Sequence, residues 1–232
     1  MELHDASVGG RLINDDQKDC KRDIKKKINL CLGLLNIRSI VSKYYKIYEL
    51  INDGLDILVL TETWHQSSVN ICLKLAMPPH FTFVDFLRTS DPHHGGIIIY
   101  FKSNFKNSII ELPLFKTIEV VAIKFFIRGI EIVLLALYRP GSMSISPLFF
   151  EELMSVLEKL SISASFIILA GDFNVHLERS FDAHTIRLLE IFDFFHLSNR
   201  VSTPTHIMGG ILDLIVSSVN FQPLNCDVYP HV

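Results

Sequence analysis

Asp56-Ile57-Leu58-Val59-Leu60 runs straight into Thr61-Glu62-Thr63-Trp64, and Ser165-Phe166-Ile167-Ile168-Leu169-Ala170 runs into Gly171-Asp172-Phe173-Asn174. Each is a run of β-branched and apolar residues that ends abruptly in a carboxylate. Such a run reads as a buried strand that delivers a charge to the rim of a sheet. Two such deliveries, far apart in the chain, imply one metal-and-water site assembled between two halves of a fold.

Around these two strands the hydrophobic period alternates. Strands are expected over 28–36, 81–86, 96–101, 118–127, 130–138 and 211–217. Arg128-Gly129 is a tight turn, so the strands on either side of it form a hairpin. Helices are expected over 39–52, where Asn52-Asp53-Gly54 is the stop signal, over 146–160 with Pro147 at the first position, and near 185–195. Hairpins mixed with helical crossovers point to an α/β sandwich with mixed sheets rather than a doubly wound parallel sheet.

The chain has 232 residues, 49% of them hydrophobic, enough for one sizeable core. A net charge of −3 excludes a global cationic field, so any nucleic-acid binding rests on a local patch. The four cysteines (Cys20, Cys31, Cys72 and Cys226) form no CxxC pair and no zinc spacing. Three of them sit among apolar or β-type residues, where reduced, buried thiols are the expected state. The N-terminus has no secretory pattern and no apolar stretch approaches the roughly 20 residues of a bilayer span, so a soluble, intracellular protein is expected, with no membrane partner. Residues 1–27 are polar and end in a basic run from Lys18 to Lys27; they read as a flexible basic arm. That run is either a solvated tail or a phosphate contact or nuclear address.

Five pieces stand in order: Leu35-Asn36-Ile37-Arg38-Ser39, Thr61-Glu62-Thr63-Trp64, Tyr138-Arg139-Pro140-Gly141, Gly171-Asp172-Phe173-Asn174, and Thr205-His206 followed by Leu212-Asp213-Leu214-Ile215. The series resembles the endonuclease/exonuclease/phosphatase superfamily over residues 28–232. Within it the wording is most similar to the apurinic-type endonuclease domain of non-LTR (LINE-like) retrotransposons. The resemblance implies a DNase I-like sandwich of two mixed β-sheets flanked by helices. It also implies Mg²⁺ (or Mn²⁺) as cofactor, DNA as partner, a nuclear location and a reverse transcriptase domain in the parent polyprotein.

The residues carry the same chemistry when taken singly. Glu62 is a hard oxygen ligand at a strand end, suited to Mg²⁺, which uses one or two protein carboxylates plus water and phosphate. Asn36 offers an amide oxygen to the metal or its water, with a turn-forming asparagine as an equal reading. Asp172 and Asn174, two apart on an extended chain, are expected to face one point. The resemblance gives Asp172 the attacking water or leaving oxygen, and Asn174 the charge of the transition state. The Tyr138 phenol can donate to a phosphate oxygen. Arg139 is a candidate phosphate contact, and the resemblance adds Thr205 and His206 to the nucleic-acid contacts. Asp213 is an acid inside an apolar strand, and buried carboxylates need partners; in the superfamily this aspartate orients a catalytic histidine.

Three features depart from the family pattern. Its Ser-Asp-His segment is absent from the sequence, so the domain is expected to lack its last strand and catalytic histidine, with His231 as a degenerate substitute at most. His93 and His94 precede Gly95-Gly96 where relatives carry basic residues, and read as a loop beside a strand start. Arg38 takes a place where repair-type relatives have an acid. The leading expectation is a Mg²⁺-dependent DNA-nicking phosphodiesterase impaired by truncation. The alternatives are a catalytically dead retroelement remnant with at most weak nucleic-acid binding, and a phospholipid or inositol-phosphate phosphatase.

Overall fold

Two six-stranded mixed sheets pack face to face in the computed structural model, which describes residues 7–12, 30–88, 91, 93–221 and 223–229, with 7–12 and 224 described as backbone only. In chain order the strands are β1 (Ser7–Leu12), β2 (Leu30–Asn36), β3 (Ile57–Thr61), β4 (Phe81–Phe86), β5 (Ile97–Lys102), β6 (Lys106–Ile110), β7 (Glu119–Ile127), β8 (Ile130–Tyr138), β9 (Phe166–Asp172), β10 (Leu197–Asn199), β11 (Asp213–Ser218) and β12 (Pro223–Tyr229). The helices are α1 (Tyr44–Asn52), α2 (Ile71–Leu75), α3 (Pro147–Ser161) and α4 (Ala183–Phe194). The first sheet runs β12-β1-β2-β3-β5-β4 and the second β10-β11-β9-β8-β7-β6.

Each sheet contains one parallel pair, β2 with β3 and β8 with β9; the other neighbours are antiparallel. A parallel pair needs a crossover, and α1 and α3 supply the two. Strand periodicity then explains why the acidic strands are apolar throughout. Ile57 and Val59 of β3 face the core between the sheets, while Leu58 and Leu60 face α1 and α2. Ile168 and Ala170 of β9 face the same central core, while Ile167 and Leu169 lie under α3 and α4. The layers are therefore helix, sheet, sheet, helix, the DNase I-like arrangement expected from the sequence.

The Pro147 and Arg128-Gly129 signals act where anticipated, and Asp182 is a further one. Pro147 opens α3, and Asp182 caps α4 by accepting from the N–H groups of His184 and Thr185. Arg128 and Gly129 both have positive φ, 51° and 86°, as a two-residue hairpin turn requires.

The main difference lies in the N-terminal segment. Residues 1–27 read as a flexible arm, yet Ser7–Leu12 is a strand between β2 and β12. Its two glycines hide any strand pattern, and the flanking strands supply the pairing instead. The basic run to Lys27 and His231 lie outside the described residues. β6, β10, β12 and α2 were also not anticipated. Among the described residues no helix is long and apolar enough to cross a membrane. Cys72 and Cys226 are free thiols, and burial pushes Cys226 up to about 11, an unreactive state.

Candidate active site

Parallel neighbours end at the same sheet edge, so each crossover unit delivers two residues to one rim. Asn36 is the last residue of β2 and Glu62 follows β3; Tyr138 ends β8 and Asp172 ends β9. The rims meet. Asn36 Nδ2 donates to Glu62 Oε1 at 3.1 Å and to Asp172 Oδ2 at 2.9 Å. The Tyr138 hydroxyl donates to Glu62 Oε1 at 3.1 Å. The two carboxylate oxygens share one nitrogen, so they can be no farther apart than those two contacts laid end to end. Burial, together with the Glu62 and Asp172 charges, raises the Tyr138 phenol far above its usual value, so it remains a donor at neutral pH.

Asp213 begins β11 directly opposite Asp172 in the ladder, and both are nearly fully buried. Its position is set by Thr205, whose Oγ1 accepts from the N–H groups of Leu212 and Asp213 at 3.0 and 3.1 Å. Thr205 is wholly buried, so it acts as a staple for Asp213 and not as an exposed nucleic-acid contact. His206 lies beside it, with Nδ1 accepting from Met208 N–H at 3.2 Å.

Besides Thr205, two predicted residues are placed differently from expectation. Arg139 was assigned to phosphate. It is instead 3% exposed, and its guanidinium donates to the carbonyl oxygens of Phe173, Pro140, Met143 and Asn174. The group is spent pinning the loops after β8 and β9 together. Asn174 was placed beside Asp172 by strand periodicity, but β9 ends at Asp172 and Asn174 has φ 49°. Its N–H donates to Asp172 Oδ1 at 3.0 Å, and its side-chain Nδ2 donates to Arg139 O at 2.8 Å. It shapes the Asp172 turn in this arrangement.

The structure adds residues that sequence reasoning missed, and they brace the Glu62 turn. Glu62 and Trp64 have φ of 51° and 48°, conformations that cost free energy in non-glycine residues. The N–H groups of Thr63 and Trp64 donate to the Gly96 and Gly95 carbonyls. Thr63 Oγ1 bonds His65 Nδ1 at 2.6 Å, His65 Nε2 bonds Asp85 Oδ2 at 3.1 Å, and Ser68 Oγ donates to the same oxygen at 2.5 Å. On the far side, Gly96 N–H and the Arg88 Nε both donate to the Glu119 carboxylate. Arg88 also lies over the Tyr138 ring at 5.5 Å. A Cβ on Gly95 would meet the Arg88 guanidinium and Glu119 at 2.5 Å, and one on Gly96 would meet Thr63 Oγ1 at 2.7 Å. The readable signal was the Gly-Gly pair after His93-His94, and the acid Glu119 opening an apolar strand. Those histidines sit in the expected loop, His94 on Asp91 and against the Trp64 ring, His93 on Gln66.

The donor set suits a hard divalent cation. Among the described residues no group of three His, Cys, Asp or Glu side chains could hold a metal. The site has two carboxylates and an amide, the few-ligand pattern Mg²⁺ accepts. The Asn36 nitrogen lies between the carboxylates, where positive charge is favoured, while Asn36 Oδ1 is buried without a hydrogen-bond partner. A half-turn of the amide would exchange its two hydrogen bonds for an oxygen aimed between Glu62 and Asp172, an arrangement favoured only with a cation held there.

With this geometry in view, a family model described as the endonuclease/exonuclease/phosphatase family matches residues 28–232. The chain belongs to that family. Hydrolysis of phosphate esters, as nuclease or phosphatase, is accordingly its functional class. No curated protein matches the chain closely enough to count. Three solved structures show the fold of this family member in other settings. The endonuclease domain of TRAS1, a telomere-specific non-LTR retrotransposon, is 15% identical with a TM-score of 0.63, over 80% of this chain and 82% of its own. The apurinic endonuclease LMAP from Leishmania major is 14% identical with a TM-score of 0.65, over 82% and 79%. The mannosyl-6-phosphatase Bt3783 of Bacteroides thetaiotaomicron is 15% identical with a TM-score of 0.60, over 82% and 86%.

Proposed function

We propose that this chain is a divalent-cation-dependent phosphodiesterase domain that nicks DNA, of the type that accompanies a reverse transcriptase in a non-LTR retrotransposon polyprotein. One observation carries the reading: Asn36, Glu62, Tyr138 and Asp172, from two sheets, join through three hydrogen bonds at one rim. The five-piece wording around them and the likeness to the TRAS1 domain favour DNA as substrate.

Glu62, Asp172 and Asn36 Oδ1 are the groups that would hold Mg²⁺ or Mn²⁺, which when bound neutralises charge building on phosphate oxygens. The protein's own groups do the rest. The Tyr138 hydroxyl stays protonated, orients Glu62 and is placed to donate to a phosphate oxygen. Asp172, steadied by Asn36 and the Asn174 N–H, is aimed at the same rim to orient water. Asp213, beside it in the ladder, supplies a second carboxylate suited to steadying an imidazole.

The test is nicking of supercoiled plasmid in Mg²⁺. Nicking is expected to be lost in Glu62→Gln and in Asp172→Asn. Nicking indifferent to both substitutions would contradict the proposal.

A further inference from the structure

Beside the reaction centre a cleft of about 340 Å³ opens where the two sheets meet. Phe86 and Arg88, following β4, form its wall from the first sheet. Residues 114–119 and the loop from Pro140 to Met143 form its wall from the second. The cleft touches the centre through two residues. Glu119 faces Tyr138 across the β7–β8 ladder, and Arg88 covers the Tyr138 ring. Sequence reasoning assigned it nothing.

Its walls have two characters. Phe86, Leu114, Phe115, Ile118, Pro140 and Met143 are apolar, with Leu114 and Met143 largely exposed at the mouth. The exposed Lys116 is cationic, and so is Arg88, whose charge is met by Glu119. Two carboxylates line it as well, and both are engaged: Glu119 with Arg88 and Gly96 N–H, Asp91 with His94. The 114–119 wall is anchored, because the Glu152 carboxylate of α3 accepts from the N–H groups of Lys116 and Thr117 at 2.8 and 2.9 Å. A cleft that combines apolar and aromatic lining with an exposed cation, at the lower end of ligand-site sizes, fits one flat ring carrying one anionic group.

We propose that this cleft is a nucleotide subsite, which takes one nucleobase of the bound strand against the apolar wall that includes Phe86 and Phe115 and sets its phosphate against Lys116. The next phosphate along the strand then lies at Tyr138 and Glu62. This inference rests on the DNA reading of the site, and it gives that reading a base-recognition element separate from the reacting groups.

The experiment is a chemical-shift titration of the ¹⁵N-labelled full chain with thymidine 5′-monophosphate, 2-deoxyribose 5-phosphate and mannose 6-phosphate at one ionic strength. Thymidine monophosphate is expected to bind at least about tenfold more tightly than either sugar phosphate, the contribution of base stacking. Its shifts should centre on Phe86, Phe115 and Lys116. Leu114→Asp and Lys116→Glu, both at exposed positions, should bring its affinity down to the sugar-phosphate level without changing the melting temperature. Equal affinities for the three probes, or a preference for mannose 6-phosphate, would overturn the subsite, as would nucleotide binding that neither substitution weakens. The reading of the reaction centre fails by a different sign, Mn²⁺ binding that ignores Glu62→Gln.

Discussion

In the second sheet Tyr138 and Asp172 are the last residues of neighbouring parallel strands, paired with each other in the ladder. In the first sheet Asn36 ends its strand in the same way, but Glu62 lies one residue past β3 in a left-handed conformation, with Trp64 in another. Both units are strand, crossover helix, strand, and both aim at the same rim. Their supports differ. The second unit relies on ladder hydrogen bonds and on Arg139, which ties the two adjacent loops together. The first relies on groups remote in sequence: His65 with Asp85, and Arg88 with Glu119, the latter reaching over from β7 of the opposite sheet. A left-handed residue costs about 1–3 kcal/mol and persists only when its surroundings over-determine it. The first unit meets that condition through buried polar contacts; the second has one such residue past β9, Asn174, of a type that tolerates it.

The difference can be broken from either side. The largest expected effect falls on the second unit. Gly171 is wedged beside β8 so closely that a Cβ would lie 1.9 Å from the Leu137 carbonyl oxygen. That neighbour is backbone and cannot turn aside. Gly171→Ala should destabilise by about 3 kcal/mol or more, read by urea unfolding. A loss below about 1 kcal/mol would show that the parallel pair can spread.

The next effect belongs to the first unit. His65 is 1% exposed and bonds both Thr63 and Asp85. His65→Ala leaves the Thr63 hydroxyl and the Asp85 carboxylate without it, at a cost of about 1–3 kcal/mol. Amide exchange should quicken at Thr63 and Trp64 and stay unchanged at Tyr138 and Asp172. Equal quickening in both units would mean that their supports are not separate.

The smallest effect is a pH dependence of opposite sign from the two acids bracing the first unit. Burial works against Asp85, but hydrogen bonds from His65 and Ser68 hold its carboxyl below the usual value. Its stabilisation is present above the unfolded value near 3.8 and fades as pH falls through the folded one. Burial pushes Glu119 up, further helped by Glu62 and opposed by Gly96 N–H and Arg88. Its contribution is full below 4.5 and fades as pH rises through the raised value. Asp85 is only half-buried, so solvent screening keeps its share within about 1 kcal/mol. In melting scans from pH 3 to 7, Asp85→Asn should flatten the acid limb and Glu119→Gln the decline above 4.5. Identical profiles in the two variants would remove the sign difference.

The same contrast marks what the sequence could reveal. β3 and β9 were legible because a strand buried on both faces is apolar at every position, and a carboxylate ending such a run is conspicuous. Both crossover helices showed through their apolar spacing and their stop or start residues. His65, Asp85, Arg88 and Glu119 were not legible as a brace, since each finds its partner only after β4, β5 and β7 are in place. Arg139 misled for a related reason. Its four carbonyl acceptors come together only when β9 lies beside β8, and Arg-Pro alone does not distinguish a phosphate contact from a buried pin. β1 was hidden because its pairing is dictated by β2 and β12 and not by its own Val-Gly-Gly pattern.

The central claim is that the two units build one site. The most direct measurement is a Mn²⁺ titration of the chain followed by water-proton relaxation, with Glu62→Gln from the first unit and Asp172→Asn from the second. One weak site is expected in the unsubstituted chain, and each single substitution is expected to abolish it. Binding that survives Asp172→Asn unchanged while Glu62→Gln removes it would place the cation on the first unit alone and contradict a shared site.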